Sequence, residues 1–230
     1  MVNLFRPVFN IMLTVFLAST ASPPEAAAGG CPGPRQVGEA SLPEILQFVQ
    51  EKQMVVLTFA GFSGAGYENP AAMIENASEI LRKREPEKTL INIGATRDGI
   101  GAVYEVARAM GFTTMGIVSS LAKAEGAALS PCVDYVFYVQ DDSWGGRVPG
   151  GERLSPTSEA IVAVSSAFVG IGGGDVARDE LSAARKRGKP VVFIPADMNH
   201  RLAREKALKR GEPEPTDFRG SAHAGLAADP

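Results

Sequence analysis

The sequence predicts an α/β protein built on a doubly wound, mostly parallel sheet of six strands with helices on both faces. Runs that are apolar throughout, such as Met54–Ala60, alternate along the chain with segments whose apolar residues recur at helical spacing, such as 70–81. Strands that are apolar on both faces occur in parallel sheets that helices cover on both sides. Apolar residues make up 45% of the 230-residue chain, so a core of normal size can be buried.

The predicted elements follow one another in order after an N-terminal segment at 29–52, a linker that ends in a short helix. This helix begins at the capping box Ser41–Glu44 and ends near Lys52. Strands are predicted at 54–60, 89–93, 113–118, 133–139, 168–171 and 190–194. Helices are predicted between them at 70–81, 103–110, 121–128, 155–164 and 175–187, and a basic helix near 202–208. The elements from 53 to 210 form one domain, and residues 211–230, rich in Pro, Gly, Ala and Asp, are predicted to be a disordered tail.

Residues 1–28 have the layout of a secretory signal peptide. Arg6 precedes an apolar run, and small residues and prolines follow that run. Because the run is shorter than the roughly 20 residues that span a bilayer, we expect cleavage after Ala21 or Ala28 and no stable membrane anchor afterwards. Export to the periplasm is the expected localisation. The alternative is a cytoplasmic protein whose start codon was assigned too far upstream.

The cysteines and the charge narrow the class of protein further. Cys31 and Cys132 could pair in an oxidising compartment, but the sequence favours a free Cys31 in a mobile tail and a Cys132 buried as a small hydrophobic residue. Two cysteines and two histidines without ligand spacing predict no metal site, and we expect no cofactor. The formal net charge of −3 argues against nucleic acid as a partner.

Three glycine clusters each lie just after a predicted strand and just before a helix. In a parallel sheet these strand ends share one edge, where ligands bind at the crevice at which the winding reverses. Glycine lets a backbone approach a phosphate closely, and the following helix presents unpaired N–H groups. The sequence therefore predicts an anionic or nucleotide ligand at this edge. The expected contacts are Gly61, Ser63, Gly64, Gly94, Thr96, Gly99, Gly101, Thr157, Gly172, Gly173, Gly174 and Asp175.

Several of these residues also have a purely structural interpretation. Ser63 and Thr96 could stabilise turns, and Thr157 follows Ser155-Pro156, which is an ordinary helix start. Trp144, in a glycine-rich loop, could stack on a base or anchor that loop. No cluster is a phosphate-binding P-loop or matches G-x-G-x-x-G, which disfavours a kinase-like NTPase and a standard NAD dehydrogenase.

The segment 171–181 reads Ile-Gly-Gly-Gly-Asp-Val-Ala-Arg-Asp-Glu-Leu and resembles the P-G-G-x-G-T-x-x-E motif of the "lonely guy" (LOG) family. That family, also described as lysine decarboxylase-like, belongs to a Rossmann-like superfamily of nucleotide-binding and sensor (SLOG) domains. The resemblance covers about 55–194. It implies a Rossmann-like domain that binds a nucleoside 5′-monophosphate or a related ribosyl ligand, with a homodimer as one possible assembly. It also implies a hydrolase that cleaves the N-glycosidic bond.

The chain departs from the family motif in three ways that bear on catalysis. Gly172 stands where Pro is usual, and Val176-Ala177 replaces Gly-Thr. The position of the family's catalytic Arg falls near Thr157, so Arg153, one helical turn earlier, is the candidate replacement. Glu180 matches the motif and is the catalytic candidate, with a capping-type carboxylate as its alternative. Three functions stay open: an N-glycosidase, a non-catalytic nucleotide or ligand sensor, and an exported interaction domain.

Overall fold

The structure is a computed structural model that describes residues 30–226, so the predicted signal peptide lies outside the described residues. Seven strands form one sheet in the order β1-β5-β4-β3-β2-β6-β7, and every neighbouring pair is parallel. The strands are β1 Gln36–Glu39, β2 Val55–Gly61, β3 Thr89–Asn92, β4 Thr113–Ser119, β5 Tyr135–Val139, β6 Ala167–Ile171 and β7 Val191–Ile194.

Eight α-helices accompany the strands within the described part of the chain. They are α1 Leu42–Lys52, α2 Pro70–Leu81, α3 Val103–Ala109, α4 Ser120–Ala124, α5 Pro156–Val164, α6 Asp175–Lys186, α7 His200–Arg210 and α8 Gly220–Leu226. Short 3-10 turns lie at Pro86–Lys88 and Gly99–Ala102. No helix within 30–226 has the length and apolar character needed to cross a membrane.

Two buried cores lie on opposite faces of the sheet, which confirms the predicted α/β class. Successive side chains of β2 alternate between them, since Leu57 and Phe59 belong to one core and Val56 and Ala60 to the other. Helices α2 and α3 contribute to the first core, and α1, α5, α6 and α8 contribute to the second. Burial on both faces explains why the central strands are apolar throughout.

The seventh strand corrects the prediction of six. β1 lies in the segment predicted as a linker and pairs with β5 at the edge of the sheet, Gln36 opposite Tyr135. Its sequence, Gln-Val-Gly-Glu, is only four residues long and mostly exposed, because an edge strand is covered less than a central one. A short polar strand of this kind shows no hydrophobic pattern, so only pairing with β5 reveals it.

The predicted disordered tail at 211–230 is also corrected for the part that the structure describes. Helix α8 packs against α6, with Ala222 and Leu226 buried in the core. The backbone N–H of Ala222 donates to the carbonyl oxygen of Gly173 over 3.0 Å. Gly by itself disfavours a helix, but small residues allow this helix to approach the glycine loop closely.

Cys31 and Cys132 form a disulfide, so the prediction of two free thiols is wrong. Backbone hydrogen bonds hold the same segment beside the sheet, from Gly33 N–H to Pro131 O over 3.0 Å and from Arg35 N–H to Asp134 O over 2.8 Å. The buried Asp134 carboxylate also pairs with the Arg35 side chain. The first described residues are therefore fixed to the domain rather than forming a free tail.

Candidate functional site

A cavity of about 400 Å³ opens at the carboxyl edge of the sheet, above the ends of β2, β3 and β4. The last residues of these strands, Gly61, Asn92 and Ser119, all contribute to its wall. The chain runs outward from β2 through β3, β4 and β5 and then returns to β6 on the other side of β2. The cavity therefore lies where the winding of the sheet reverses, which is the usual ligand position in open α/β sheets.

Most of the cavity wall is apolar. Ile93, Ile117, Leu129, Ile161 and Val176 supply much of this surface. Trp144 lies at the mouth with 55% of its surface exposed, so the indole is not buried as a loop anchor. Apolar walls with a few polar groups are typical of sites that bind small organic molecules.

Two polar side chains on the cavity floor already have partners in the protein. The Asn92 amide donates to Thr58 Oγ1 over 3.0 Å, and Thr58 Oγ1 shares a hydrogen bond of 2.6 Å with Ser165 Oγ. Asn92 Oδ1 accepts from the backbone N–H of Ile117 over 3.3 Å. This network joins three strands to α5 and holds the floor of the cavity in place.

Glu180 projects from α6 into the cavity wall and is buried. Ser158 Oγ donates to Glu180 Oε1 over 2.6 Å and itself accepts the N–H of Gly146 over 2.7 Å. Burial raises the pKa of Glu180 to about 7; the hydrogen bond from Ser158 opposes this, and the neighbouring Asp179 carboxylate adds to it. Near neutral pH this carboxyl group therefore exists in both protonation states.

Thr157 lines the cavity, and its hydroxyl oxygen is buried with no hydrogen-bond partner among the other described residues. The side chain is 4% exposed, and its Oγ1 makes no hydrogen bond within residues 30–226. Its backbone N–H donates to Asp141 Oδ2 over 2.9 Å, which fixes the first turn of α5. A buried hydroxyl without a partner costs roughly 1–3 kcal/mol, so a polar ligand atom at this position would be stabilising.

The loop that carries Trp144 is tied to the domain at several points. Burial alone would raise the pKa of Asp141, but hydrogen bonds from Thr157 and Ser143 lower that pKa below its ordinary value. The backbone N–H of Arg147 donates to Asp179 Oδ2 over 3.1 Å. The indole is therefore presented at the mouth by a fixed loop.

The structure brings six of the predicted site residues to the cavity and leaves the others outside its wall. The six are Gly61, Ser63, Gly94, Thr96, Thr157 and Glu180. Gly99 and Gly101 instead serve close packing, since a Cβ atom at either would collide with a backbone carbonyl oxygen, that of Phe62 or of Thr96. Gly64 lies in the exposed turn after β2, where its carbonyl oxygen accepts from Lys206 Nζ over 2.9 Å.

The Gly172–Gly174 loop and Arg153 also lie outside the cavity wall. A Cβ at Gly172 would lie 2.5 Å from Phe62 Cε2, and one at Gly173 would lie 2.6 Å from the Cβ of Ala177. Space around Gly174 is open. Asp175, on the exposed side of α6, pairs with Arg178 over 2.8 Å. Arg153 is exposed, and only its backbone is engaged, accepting the N–H of Val148 over 2.9 Å.

The sequence reasoning missed Asn92 as a site residue, and it did not predict the partners of Ser158. Asn92 stands among apolar residues in β3, and a polar residue at the end of a buried strand is a recognisable signal. Ser158 acts only through its contacts with Glu180 and Gly146, which lie far from it in the sequence. No sequence pattern shows that Ser158 contacts Glu180 and Gly146.

Fold and site together define a Rossmann-like α/β protein with a ligand-sized cavity where the strand order reverses. A comparison with models of protein families found no match. A comparison with curated proteins found none either.

Among solved structures, the chain is similar to TM1055, with 20% identity over 60% of this chain and 72% of that chain and a TM-score of 0.42. It is similar to the Moco carrier protein from Chlamydomonas reinhardtii, with 17% identity over 76% of this chain and 94% of that chain and a TM-score of 0.45. It is also similar to DNA processing protein A from Streptococcus pneumoniae, with 12% identity over 77% of this chain and 62% of that chain and a TM-score of 0.43. Likeness at this level does not extend to ligand or activity.

Proposed function

We propose that this protein binds a small organic molecule in the edge cavity and acts as a ligand sensor. The cavity itself carries the proposal: about 400 Å³ of mostly apolar wall at the switch point, with Thr157 and Glu180 among the residues that line it. Volumes of roughly 300–1,000 Å³ are usual for sites that enclose small ligands. The resemblance to the LOG motif favours a ligand that contains a nucleobase or ribosyl group.

A ring compound suits this cavity. Apolar side chains from both faces of the sheet, such as Ile93 and Ile161, would cover the faces of a ring, and the exposed indole of Trp144 could stack on it. Glu180 and Thr157 would provide the hydrogen bonds that orient it. The proposal therefore assigns affinity to the apolar wall and specificity to these two side chains.

An N-glycosidase is the second candidate, and the position of Glu180 supports it. The carboxyl group at the motif position faces the cavity, where it could stabilise the positive charge that develops on a sugar. Cleavage also needs help for the leaving base and for the phosphate. None of the described residues that form the cavity wall is Lys, Arg or His, and the side chain of Arg153 is exposed elsewhere. This charge distribution favours binding without hydrolysis.

The Cys31–Cys132 disulfide supports export as part of the proposal, because disulfides persist in oxidising compartments and are rare in the cytosol. A signal peptide at 1–28 would bring the chain to such a compartment. The proposed role is therefore that of a periplasmic ligand-binding protein.

Blocking the mouth of the cavity is expected to abolish ligand binding. We would screen nucleobases, nucleosides and nucleotides at millimolar concentration by thermal shift, since a ligand that binds only the native state raises its midpoint. For any compound that binds, Ala128→Phe is expected to weaken affinity at least tenfold, because Ala128 is exposed and lines the mouth.

The matched control is Ala124→Phe. Ala124 is an exposed alanine four residues earlier, outside the cavity wall, so its replacement is expected to leave binding unchanged. Absence of any midpoint shift over the whole panel would contradict the proposed function. Equal affinity of the Ala128→Phe variant and the native chain would contradict the location of the site.

Incubation with nucleoside 5′-monophosphates is expected to release no free base. The reason is the lack of a cation in the described cavity wall, which leaves the developing charges unsupported. Chromatography of the reaction mixture measures the base directly, with Glu180→Gln as the comparison. Base release that disappears in Glu180→Gln would establish the N-glycosidase instead.

A further inference from the structure

We propose that the ligand of this cavity carries no phosphate group and is an uncharged heterocycle, free or joined to a sugar, that hydrogen-bonds to Glu180 and Thr157. The inference rests on the proposed function and narrows the class of ligand. It differs from the sequence-based prediction, which is an anionic ligand at the same sheet edge. Four features of the structure lead to it.

Two residues of the glycine loop that would have to hold a phosphate, Gly172 and Gly173, are packed against the protein itself, whereas the space beside Gly174 is open. The ring of Phe62 lies 2.5 Å from a Cβ position at Gly172 and 2.8 Å from one at Gly220, so it occupies the space between the loop and α8. On the other side of the loop, a Cβ position at Gly173 lies 2.6 Å from the Cβ of Ala177 and 3.4 Å from the Cβ of Ala222 in α8. A phosphate cradle needs open space beside its glycines, and at Gly172 and Gly173 protein atoms occupy that space.

The first turn of α6 is likewise covered on the cavity side. Val176 lines the cavity at the position where the family motif has glycine. Its Cγ1 lies 3.2 Å from a Cβ position at Gly145, so the side chain packs against the Trp144 loop. A branched side chain at this place keeps an anion away from the helix N-terminus, where unpaired N–H groups would otherwise attract it.

The charges around the cavity oppose a phosphate. Among the described wall residues Glu180 is the only ionisable side chain. Arg178 is engaged by Asp175 over 2.8 Å and by Asp179 over 2.9 Å. The guanidinium of Arg147 lies 3.7 Å from Asp179. Burying a phosphate without a free cation, and next to a carboxyl group, would carry a large desolvation cost.

The polar groups that remain match an uncharged ring. Ser158 engages Oε1 of Glu180, and Oε2 makes no hydrogen bond to any residue of the described chain. A carboxyl group donates from this oxygen when protonated and accepts when ionised, and the Thr157 hydroxyl does both. Ring nitrogens, exocyclic amines and carbonyl groups of heterocycles present such donors and acceptors.

The test compares each neutral compound with its own phosphate ester. Trp144 is the only tryptophan in the chain, so quenching of its fluorescence reports binding at the mouth of the cavity directly. The probes are adenine, adenosine and AMP, and the corresponding guanine, cytosine and uracil series. We expect at least one base or nucleoside to bind, and its 5′-monophosphate to bind at least tenfold more weakly. A monophosphate that binds as tightly as its nucleoside, or more tightly, overturns the inference and leaves the proposed function standing. Binding of no compound overturns both.

Glu180→Gln identifies the group that rejects the phosphate. Glutamine keeps the acceptor for Ser158 but cannot ionise, so the preference for the nucleoside is expected to fall at least threefold. The control is Glu159→Gln, because the Glu159 carboxylate lies outside this cavity and pairs with Arg187 over 2.6 Å. That variant is expected to keep the native preference. An unchanged preference in Glu180→Gln overturns the role assigned to Glu180.

Discussion

Removal of the Cys31–Cys132 disulfide is expected to lower the free energy of unfolding by about 3–5 kcal/mol. The two cysteines are 101 residues apart, so the bond closes a long loop and removes many conformations from the unfolded chain. The native state loses an anchor as well, because the disulfide joins the segment before β1 to the segment that leads into β5. Urea unfolding of Cys31→Ser/Cys132→Ser beside the native chain measures the difference.

The reducing agent provides an independent comparison. Reduction of the native protein is expected to lower its unfolding midpoint to that of the double variant, which should not itself respond to the reductant. Reduction is also expected to change the affinity for the ligand. Thr96 and Leu129 pair through their backbones in the cavity wall, and Leu129 lies three residues before Cys132. A native midpoint that is the same with and without reductant would show that the bond does not stabilise the fold.

Glu180 is expected to make the protein less stable as the pH rises. In the unfolded chain the carboxyl group titrates near the ordinary value of 4.5, whereas burial raises the pKa of Glu180 in the folded chain to about 7. Below about pH 4.5 both states hold the proton and the contribution to stability is fully present. Between the two values only the unfolded state releases it, so stability falls with pH until about pH 7. Since a tenfold change in proton affinity corresponds to about 1.4 kcal/mol, the total loss is on the order of 3 kcal/mol.

Glu180→Gln removes this dependence while keeping the hydrogen bond from Ser158. Relative to the native chain, the variant should gain about 2–3 kcal/mol of unfolding free energy when the pH is raised from 5 to 8, as measured by urea unfolding. Glu159→Gln is the control. Its hydrogen bonds to Arg187 hold the pKa of Glu159 below the usual range, so this carboxylate stays ionised over that interval. A constant difference between native chain and Glu180→Gln from pH 5 to pH 8 would show that Glu180 does not titrate there.

The helices and central strands could be predicted from the sequence because their signals are local. The capping box at Ser41–Glu44 predicted α1, which begins at Leu42, and apolar spacing predicted α2 at 70–81, as the structure has it. The position of Glu180 beside the crevice also followed from the sequence, since it stands early in a helix that leaves a strand end. Each of these inferences needed only residues that are close together along the chain.

The chemistry of the site depends on residues that are distant in the sequence, and those only the tertiary structure brings together. A glycine looks the same in the sequence whether its missing side chain makes room for a ligand or for another part of the protein. At Gly172 and Gly173 the space is occupied by protein, including Phe62 and α8. The pairing of Cys31 with Cys132 and of β1 with β5 likewise needs partners about 100 residues away. Thus the sequence alone determined the α/β class and the edge of the sheet at which the cavity opens. Only the tertiary structure decided the charge and the shape of the cavity, because both depend on side chains that are far apart in the sequence and that no local pattern connects.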